Sequence, residues 1–246
     1  MQFAPLYPLI HRLLKPAFPA CLWTGAPGSQ RIALTFDDGP HPLHTRPLLE
    51  VLDRHQVKAS FFWLGVCVER CPEIARTIWQ SGHWIGLHGY EHRSFTQLSA
   101  PELRRSLERT QSAIAQACEI APQVAAQQIR DVRPPNGIFT PQILDLLQGW
   151  GYRPVMWSVV PEDWVRPGIS ITAQRVLNQT EDGSVIVLHD GYHGGEDVAA
   201  VAAKIIPALL EQGYQFGSIE DLWGKRGQPI QPTQPIQPMQ PPVEPL

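Results

Sequence analysis

Short apolar segments alternate with longer amphipathic segments along most of the chain. The short segments are rich in β-branched and aromatic residues, which predicts buried strands over residues 32–36, 57–64, 84–87, 128–132, 154–158, 184–188 and 214–217. Helical spacing between them predicts helices over residues 48–55, 69–81, 100–118, 141–149, 171–180 and 198–212. Strands that alternate with helices in this way predict an α/β fold with a parallel sheet.

The number of strand–helix units narrows this fold further. About seven such units follow one another, and no glycine-rich phosphate-binding loop accompanies them. This combination favours a closed or nearly closed β/α barrel over a dinucleotide-binding sheet. One helix start is well marked, because Ser99 is followed by Pro101 in the first turn and by Glu102 at the capping-box position.

Both ends of the chain differ from this alternating centre. We therefore expect an amino-terminal extension over residues 1–29, a single barrel domain over 30–225 and a tail over 226–246. The extension carries apolar residues at helical spacing, which favours a helix docked on the protein's own surface: Leu6, Leu9, Ile10, Leu13 and Leu14. The tail contains five consecutive Gln-Pro-X triplets from Gln228, which predicts a disordered spacer or, alternatively, a docking strip for a protein partner.

Composition favours neither nucleic acid nor anionic lipid as a partner. The chain has 246 residues, of which 43% are hydrophobic, enough to form a proper core. Lys and Arg number 20 against 23 for Asp and Glu, so the net charge of −3 gives no general attraction to nucleic acid or anionic lipid. No apolar run is long enough for a membrane span. The four cysteines are expected to be free thiols.

The amino terminus gives no convincing secretory signal. No basic residue precedes the apolar residues 3–10 to form a charged leader region, although Pro19-Ala20-Cys21 faintly resembles a processing site. Cytoplasmic retention is therefore slightly favoured over export or peripheral association with the envelope.

Polar residues collect at the predicted strand ends. Asp37 and Asp38 follow the first strand directly, and His88, Arg133, Ser158 and His189 stand at or just past the ends of later strands. The carboxyl ends of parallel strands meet at one rim, where barrel enzymes hold their chemistry. Two adjacent aspartates at the end of a buried strand repel each other, so a cation or a partner base is expected to separate their roles.

Asp38, His88 and His92 are the candidate metal ligands. The two histidines are four residues apart, so a helical turn or a compact loop would direct both imidazoles the same way. With one carboxylate they form a two-His, one-carboxylate set that leaves positions open for water and substrate. An Fe(II) oxygenase could use the same set, but that class normally has the first His and the carboxylate much closer together.

The motifs Thr35-Phe36-Asp37-Asp38-Gly39-Pro40, His88-x-x-x-His92, Arg133-Pro134-Pro135, Asp163-Trp164 and Leu188-His189-Asp190 occur in this order. Their order and content resemble the polysaccharide deacetylases of carbohydrate esterase family 4, the NodB-homology type. The resemblance covers roughly residues 31–223. It implies a distorted (β/α)7-type barrel and removal of N-acetyl groups from amino sugars of a glycan, such as peptidoglycan or a chitin-like oligomer.

The resemblance also implies a role for each motif residue. Zn²⁺, or another divalent ion such as Co²⁺, Mn²⁺ or Ni²⁺, would be held by Asp38, His88 and His92. Asp37 would be the general base, oriented by Arg133, and His189 the general acid, oriented by Asp163. The remaining predicted residues would bind substrate, with the backbone N–H of one as oxyanion donor and three as walls of the acetyl pocket: Asn136, then Trp164, Val187 and Leu188.

The chain departs from the family pattern around the site. Gly89 stands where a Ser or Thr commonly steadies the second motif, Asn136 replaces an aromatic residue, and Val160 stands near the place of an acidic residue. Stacking surfaces for sugar rings are expected from five aromatic residues near the rim: Trp63, Tyr90, Phe95, Phe139 and Trp164. The alternatives to a glycan deacetylase are a non-catalytic glycan-binding or scaffold protein on the same barrel and a deacylase of a small N-acetylated compound.

Overall fold

The structure is a computed structural model that describes residues 6–224. The predicted tail over residues 226–246, with its predicted disorder and its protein-partner strip, lies outside the described residues, as do residues 1–5 of the extension. All four cysteines are free thiols, as expected. Among the described residues, the helices are too short or too polar to cross a bilayer.

Seven parallel strands form one sheet. Their bounds are β1 Arg31–Asp37, β2 Ser60–Trp63, β3 Trp84–Leu87, β4 Asp131–Val132, β5 Arg153–Pro154, β6 Val185–His189 and β7 Gln215–Gly217. The order across the sheet is β5-β4-β3-β2-β1-β6, and β7 pairs with the first residues of β1. Each predicted strand therefore has a counterpart, and the parallel α/β fold is confirmed.

Irregular backbone bridges join the two edges of this curled sheet. Within residues 6–224, three isolated bridges occur: Leu22 with Val155, Thr24 with Ser184, and Val159 with Ile186. The segment 22–24 thus lies between β5 and β6, where a regular barrel would have continuous strand pairing. The predicted strand over 154–158 is shorter than expected because the N–H of Met156 bonds to the carbonyl of Leu22 instead of continuing the ladder. The distorted single-domain barrel predicted from sequence is confirmed.

Helices surround the sheet. Their bounds are α1 Tyr7–Ala17, α2 Thr45–Arg54, α3 Gly65–Arg70, α4 Pro72–Gln80, α5 Ala100–Cys118, α6 Pro122–Gln128, α7 Pro141–Gly149, α8 Ile169–Gln179, α9 Gly195–Glu211 and α10 Ile219–Trp223. The single helix predicted over 69–81 is two helices, because Cys71 leaves the helical conformation, with φ −130° and ψ 53°, and Pro72 starts a new helix. The predicted capping box of Ser99 and Glu102 is present at the start of α5.

Successive side chains of β1 face alternately the core under the helices and the interior of the curled sheet. The even-numbered residues from Ile32 to Phe36 are fully buried between the sheet and the helices. Ala33, Thr35 and Asp37 point the other way, because successive side chains in a strand face opposite sides. Ala33 belongs to a small apolar cluster inside the sheet, and Thr35 and Asp37 bond to Arg133 above it. The interior therefore becomes polar toward the carboxyl ends of the strands.

A buried carboxylate organises the lower part of the interior. Asp131, at the start of β4, is inaccessible to solvent. Its Oδ1 accepts hydrogen bonds from Arg153 Nε at 2.9 Å and Trp223 Nε1 at 2.8 Å. Its Oδ2 accepts from Arg153 Nη2 at 2.8 Å and Trp84 Nε1 at 2.7 Å. Four donors from β3, β5 and α10 thus saturate one side chain, which ties these elements together.

The amino-terminal helix docks with only part of its predicted apolar face. Leu14 packs against the cluster that contains Trp23 and Met156. Leu9 and Leu13 are exposed, at 57% and 75% of their surface. The spacing predicted the helix, but most of its leucine face does not form the contact with the barrel.

Candidate active site

Four strand ends bring the predicted chemical residues together at one rim. Asp37 ends β1 and His189 ends β6, and these two residues are direct neighbours in the parallel register. His88 follows β3 and Arg133 follows β4. The residue after Asp37 bends away from the strand with a left-handed φ of 72°, a conformation uncommon for a non-glycine residue. Such strain often accompanies a functional site.

Asp38, His88 and His92 form a group that could hold a metal ion. One donor atom from each lies within 4.8 Å of the others. The Oδ1 atom of Asp38 is 3.5 Å from His88 Nε2 and 3.5 Å from His92 Nε2. The loop from Gly89 to His92 is compact rather than helical, which is one of the two arrangements that the sequence spacing allows.

The hydrogen bonds around these ligands fit a cation. His88 Nδ1 lies 2.7 Å from the carbonyl oxygen of Arg133, so it must carry the hydrogen and leave the lone pair on Nε2. Burial lowers the pKa of His88 despite Asp37 and Asp38 nearby, which keeps the imidazole neutral. The Oδ1 atom of Asp38 is buried and has no hydrogen-bond donor. A cation between this oxygen and the two imidazole nitrogens would give all three atoms a partner.

Asp38 is nevertheless ionised. Burial raises its pKa, but positive charge on the surrounding histidines, the protonated His189 among them, outweighs burial, so the pKa lies below its ordinary value. A side chain at Gly191 would collide with Asp38, since a Cβ there would lie 2.4 Å from the Asp38 Cβ. The backbone after His189 therefore passes directly against the first motif.

Arg133 holds the second aspartate. Its Nη1 donates to Asp37 Oδ1 at 2.5 Å and to Thr35 Oγ1 at 2.8 Å, and its Nη2 donates to the carbonyl of Met156 at 3.1 Å. The guanidinium also lies over the ring of Phe62, with Cζ 4.0 Å from the ring centre. The arginine is fully buried, so Asp37 is held in one orientation by a charge-assisted hydrogen bond.

His189 and Asp163 form a pair on the other side of the rim. His189 Nδ1 donates to Asp163 Oδ1 at 2.9 Å, and the backbone N–H of His189 donates to Asp163 Oδ2 at 2.7 Å. Burial lowers the pKa of His189, but the Asp163 carboxylate more than offsets this and raises it to about 10. The imidazole therefore carries a proton at neutral pH and presents Nε2–H away from Asp163.

These groups line one cavity of about 410 Å³. Its acidic and histidine lining includes Asp37, Asp38, His88, His92 and His189. The walls include Asn136 and three apolar predicted or neighbouring residues, Val160, Trp164 and Val187. The cavity thus combines a metal-ligand set, a fixed carboxylate and a protonated imidazole with room for a small substrate group.

Leu188 and Ser158 do not line this cavity. Leu188 is fully buried in the core between sheet and helices, because it points to the opposite face of β6 from Val187 and His189. Adjacent residues of one strand cannot both line the same wall, so the substrate-binding assignment of Leu188 was wrong. Ser158 instead accepts a hydrogen bond from the N–H of Val185 at 3.1 Å and stabilises the irregular edge.

Most of the aromatic residues that were expected to form stacking surfaces do not line the cavity. Of the five aromatic candidates only Trp164 lines the cavity, and its ring stands edge-on to His189 at a centroid distance of 5.3 Å. Trp63 and Phe95 are buried in the core, and Phe139 packs against Phe18. Tyr90 lies under the guanidinium of an arginine and donates to Glu69.

Further aromatic and histidine side chains that line the cavity were not predicted from the sequence. Tyr7 of α1, Trp157 after β5 and His193 in the loop before α9 line the cavity. Trp157 lies next to the end of the predicted strand over 154–158, a position that could have indicated it. Tyr7 carries no such signal, because its position depends on how α1 docks.

The glycine that replaces the usual hydroxyl residue of the second motif has a structural reason. Gly89 adopts a φ of 88°, and a Cβ there would lie 3.2 Å from both the carbonyl of Glu91 and the ring of Phe95. A hydroxyl reaches the same loop from α5 instead, since Ser106 Oγ accepts a hydrogen bond from the N–H of Tyr90 at 2.8 Å. The loop between the two candidate metal histidines is thus supported by a different element.

Comparisons with known proteins agree with this site. The family model for polysaccharide deacetylase matches residues 24–155. A chitooligosaccharide deacetylase from Rhizobium leguminosarum bv. trifolii is 35% identical over 201 residues, which cover 77% of this chain and 90% of the relative. A solved peptidoglycan N-acetylglucosamine deacetylase superposes with a TM-score of 0.77 at 29% identity, covering 82% of this chain and 92% of the other.

A pseudoenzyme of carbohydrate esterase family 4 from Bacillus anthracis is similar as well. It superposes with a TM-score of 0.74 at 28% identity, covering 83% of this chain and 69% of the other. Because the fold occurs in a pseudoenzyme too, the fold alone does not decide whether a chain is catalytic. That question depends on the side chains at the rim.

Proposed function

This chain belongs to the polysaccharide deacetylase family, and we propose that it removes N-acetyl groups from the amino sugars of a glycan with the help of a bound divalent metal ion. Its relatives deacetylate chitooligosaccharides and peptidoglycan N-acetylglucosamine, which makes it a glycan deacetylase and a hydrolase of carbon–nitrogen bonds. The observation that carries the proposal is the donorless Asp38 Oδ1 facing His88 and His92, in one cavity with Asp37 and His189.

Asp38, His88 and His92 would hold the ion. Two imidazole nitrogens and one carboxylate suit Zn²⁺ well, and Co²⁺, Mn²⁺ or Ni²⁺ could replace it. When bound, such an ion acidifies water and polarises the amide carbonyl. The neutral state of His88 and the ionised state of Asp38 are the forms that bind metal.

Asp37 would act as the general base. Arg133 occupies Asp37 Oδ1, which leaves Oδ2 directed toward the ligand side, 4.0 Å from His88 Nε2. From this position the carboxylate takes a proton from the attacking water as the water oxygen bonds to the acetyl carbon. The buried arginine keeps the carboxylate aimed throughout.

His189 would act as the general acid. Its proton passes from Nε2 to the leaving amine nitrogen as the carbon–nitrogen bond breaks, while Asp163 stabilises the imidazolium before that transfer. The backbone N–H of Asn136 would donate to the developing oxyanion, and Trp164 and Val187 would enclose the acetyl methyl group. The products are acetate and a free amino sugar.

A non-catalytic glycan-binding protein is the second candidate, and the likeness to a pseudoenzyme favours testing it. Binding alone requires neither a fixed base nor a protonated acid, and this chain has both Asp37 and His189. A deacylase of a small N-acetylated compound is the remaining alternative, and it would use the same residues.

Acetate release from fully acetylated chito-oligomers, from peptidoglycan and from free N-acetylglucosamine tests the proposal. The Zn²⁺-loaded protein should release acetate from a glycan, and a chelator should abolish the release. Asp37→Asn should lose about 10³-fold in kcat while keeping the metal, and Asp145→Asn, which alters an exposed carboxylate on α7, should change nothing. Glycan binding without acetate release by the loaded protein would instead identify a binding protein, and release from the monosaccharide alone would identify a small-molecule deacylase.

A further inference from the structure

One side of the cavity is built by a segment outside the family match. The family model begins at residue 24, whereas α1 spans Tyr7–Ala17. Tyr7, the first residue of this helix, lines the same cavity as Asp37 and His189. The surroundings of the site therefore include a side chain that the shared motifs do not supply.

Several contacts fix α1 on the barrel. The ring of His11 lies 5.9 Å from that of Trp23, and Phe18 meets Phe139 edge-on at a centroid distance of 5.0 Å. Trp23 Nε1 donates to the carbonyl of Phe18 at 3.0 Å, and Leu14 packs in the same cluster. The helix is anchored along its carboxyl-terminal half, and this anchoring sets where its first turn lies.

The first turn directs Tyr7 toward Trp157. The two rings meet edge-on, with a centroid distance of 5.8 Å and an interplanar angle of 89°. Trp157 itself is closely fitted, because a Cβ at Gly137 would lie only 2.6 Å from its Cζ2 atom. Both rings line the cavity, so together they form an aromatic corner of fixed geometry beside the rim.

The chemistry of this corner suits a sugar ring. Aromatic side chains offer flat apolar faces, and tyrosine adds a hydroxyl that can donate or accept a hydrogen bond. Burial, with the carboxylate of Glu162 as a smaller cause, raises the pKa of Tyr7, so the phenol keeps its proton. A pyranose presents an apolar C–H face and a rim of hydroxyl groups, and Tyr7 can contact both.

We propose that Tyr7 is a substrate-contacting residue that packs with Trp157 against the sugar and raises the affinity of this site for its glycan. This inference rests on the proposed glycan deacetylase function. It assigns to α1 a part in specificity, in addition to the residues of the family motifs. Tyr7 takes no part in the proton transfers assigned to Asp37 and His189, so its contribution belongs in KM rather than in kcat.

Steady-state kinetics of the full-length, Zn²⁺-loaded protein on acetylated chitotetraose test this assignment. Tyr7→Ala should raise KM about tenfold and leave kcat within about twofold of wild type. Tyr7→Phe should keep most of the affinity if ring packing dominates, and Leu13→Ala is the matched control because Leu13 is an exposed residue on the same helix. Thermal unfolding of each variant should show an unchanged Tm, which separates loss of contact from loss of docking.

Binding of the same oligomer, followed by tryptophan fluorescence, separates this inference from the proposed function. If wild type binds the oligomer but releases no acetate, the proposed catalysis fails, and about tenfold weaker binding by Tyr7→Ala still supports the contact. Values of KM and Kd within twofold of wild type for Tyr7→Ala would overturn the contact even in an active enzyme. An equal loss in Leu13→Ala would overturn it too, since the effect would then belong to the docking of α1.

Discussion

Two carboxylates inside the same barrel, one fully buried and one with a buried oxygen atom, have opposite surroundings. Asp131, in the lower interior, accepts hydrogen bonds at both oxygens from Arg153, Trp84 and Trp223. Asp38, at the rim, has a buried oxygen with no donor, and the nearest groups are two imidazole nitrogens. The structural carboxylate, Asp131, has hydrogen-bond donors at both oxygens, whereas the Asp38 oxygen that would bind a ligand has none. Hydrogen-bond saturation, rather than burial, distinguishes the two roles.

The largest expected effect comes from neutralising the incomplete carboxylate. Asp38→Asn removes a charged ligand, so metal content should fall and kcat/KM should drop by about 10³-fold or more. Without metal, the free energy of unfolding should fall slightly, because the fold lowers the pKa of Asp38 and therefore stabilises its ionised form. Metal analysis, acetate release and denaturant unfolding measure these three quantities. Full metal occupancy in Asp38→Asn would contradict the comparison.

The second-largest expected effect concerns His189, the protonated histidine at the rim. Since Asp163 raises the pKa of His189 to about 10, the acid is lost only as pH rises through that value. In Asp163→Asn the pKa falls, so the alkaline limb of the kcat profile should move to lower pH, and kcat at pH 9 should fall about 10²-fold. Rates measured from pH 6 to pH 10 test this. An unshifted limb would show that His189 is not the titrating acid.

Changing the saturated carboxylate should affect stability instead of activity. Asp131→Asn leaves N–H donors facing an amide N–H₂ and leaves Arg153 with Glu220 as its remaining charged partner. The free energy of unfolding should fall by about 3 kcal/mol. At a temperature where the variant is folded, kcat/KM should stay within twofold of wild type. A large loss of activity in folded Asp131→Asn would contradict the assignment of a structural role to Asp131 and a ligand-binding role to Asp38.

The smallest expected effect comes from Ser106, which supports the loop between the candidate metal ligands His88 and His92. Ser106→Ala removes the acceptor for the N–H of Tyr90 and should weaken metal binding by about tenfold or less. Ser106→Thr keeps the hydroxyl and serves as the matched control. Competition with a chromogenic chelator measures the affinity. Unchanged affinity in Ser106→Ala would mean that the loop is held by its other contacts alone.

The sequence predicted the chemical centre better than its walls. Asp37, His88, Arg133 and His189 could be found because parallel strands place their carboxyl ends at one rim, so position along each strand determines position in space. This rule needs only the local apolar pattern. It also predicts which residues of β6 face the cavity, and ignoring the alternation produced the incorrect assignment of Leu188.

The walls depend on packing between distant segments, which local patterns do not contain. Trp63 and Phe95 resembled sugar-stacking residues but fill the core, while Tyr7 reaches the cavity only through the docking of α1. The same holds for Ser106, which takes over the role of a hydroxyl missing at position 89 from a helix that follows the loop. Tertiary contacts of this kind have no signature in a single sequence.

Arg133 serves the site with two parts that respond differently to mutation. Its carbonyl fixes the tautomer of His88, and its side chain fixes Asp37. Every amino acid has a carbonyl, so a substitution at this position can keep the first contact while it removes the second. A single codon change would therefore free the Asp37 carboxylate from its fixed orientation while a backbone acceptor for His88 remains.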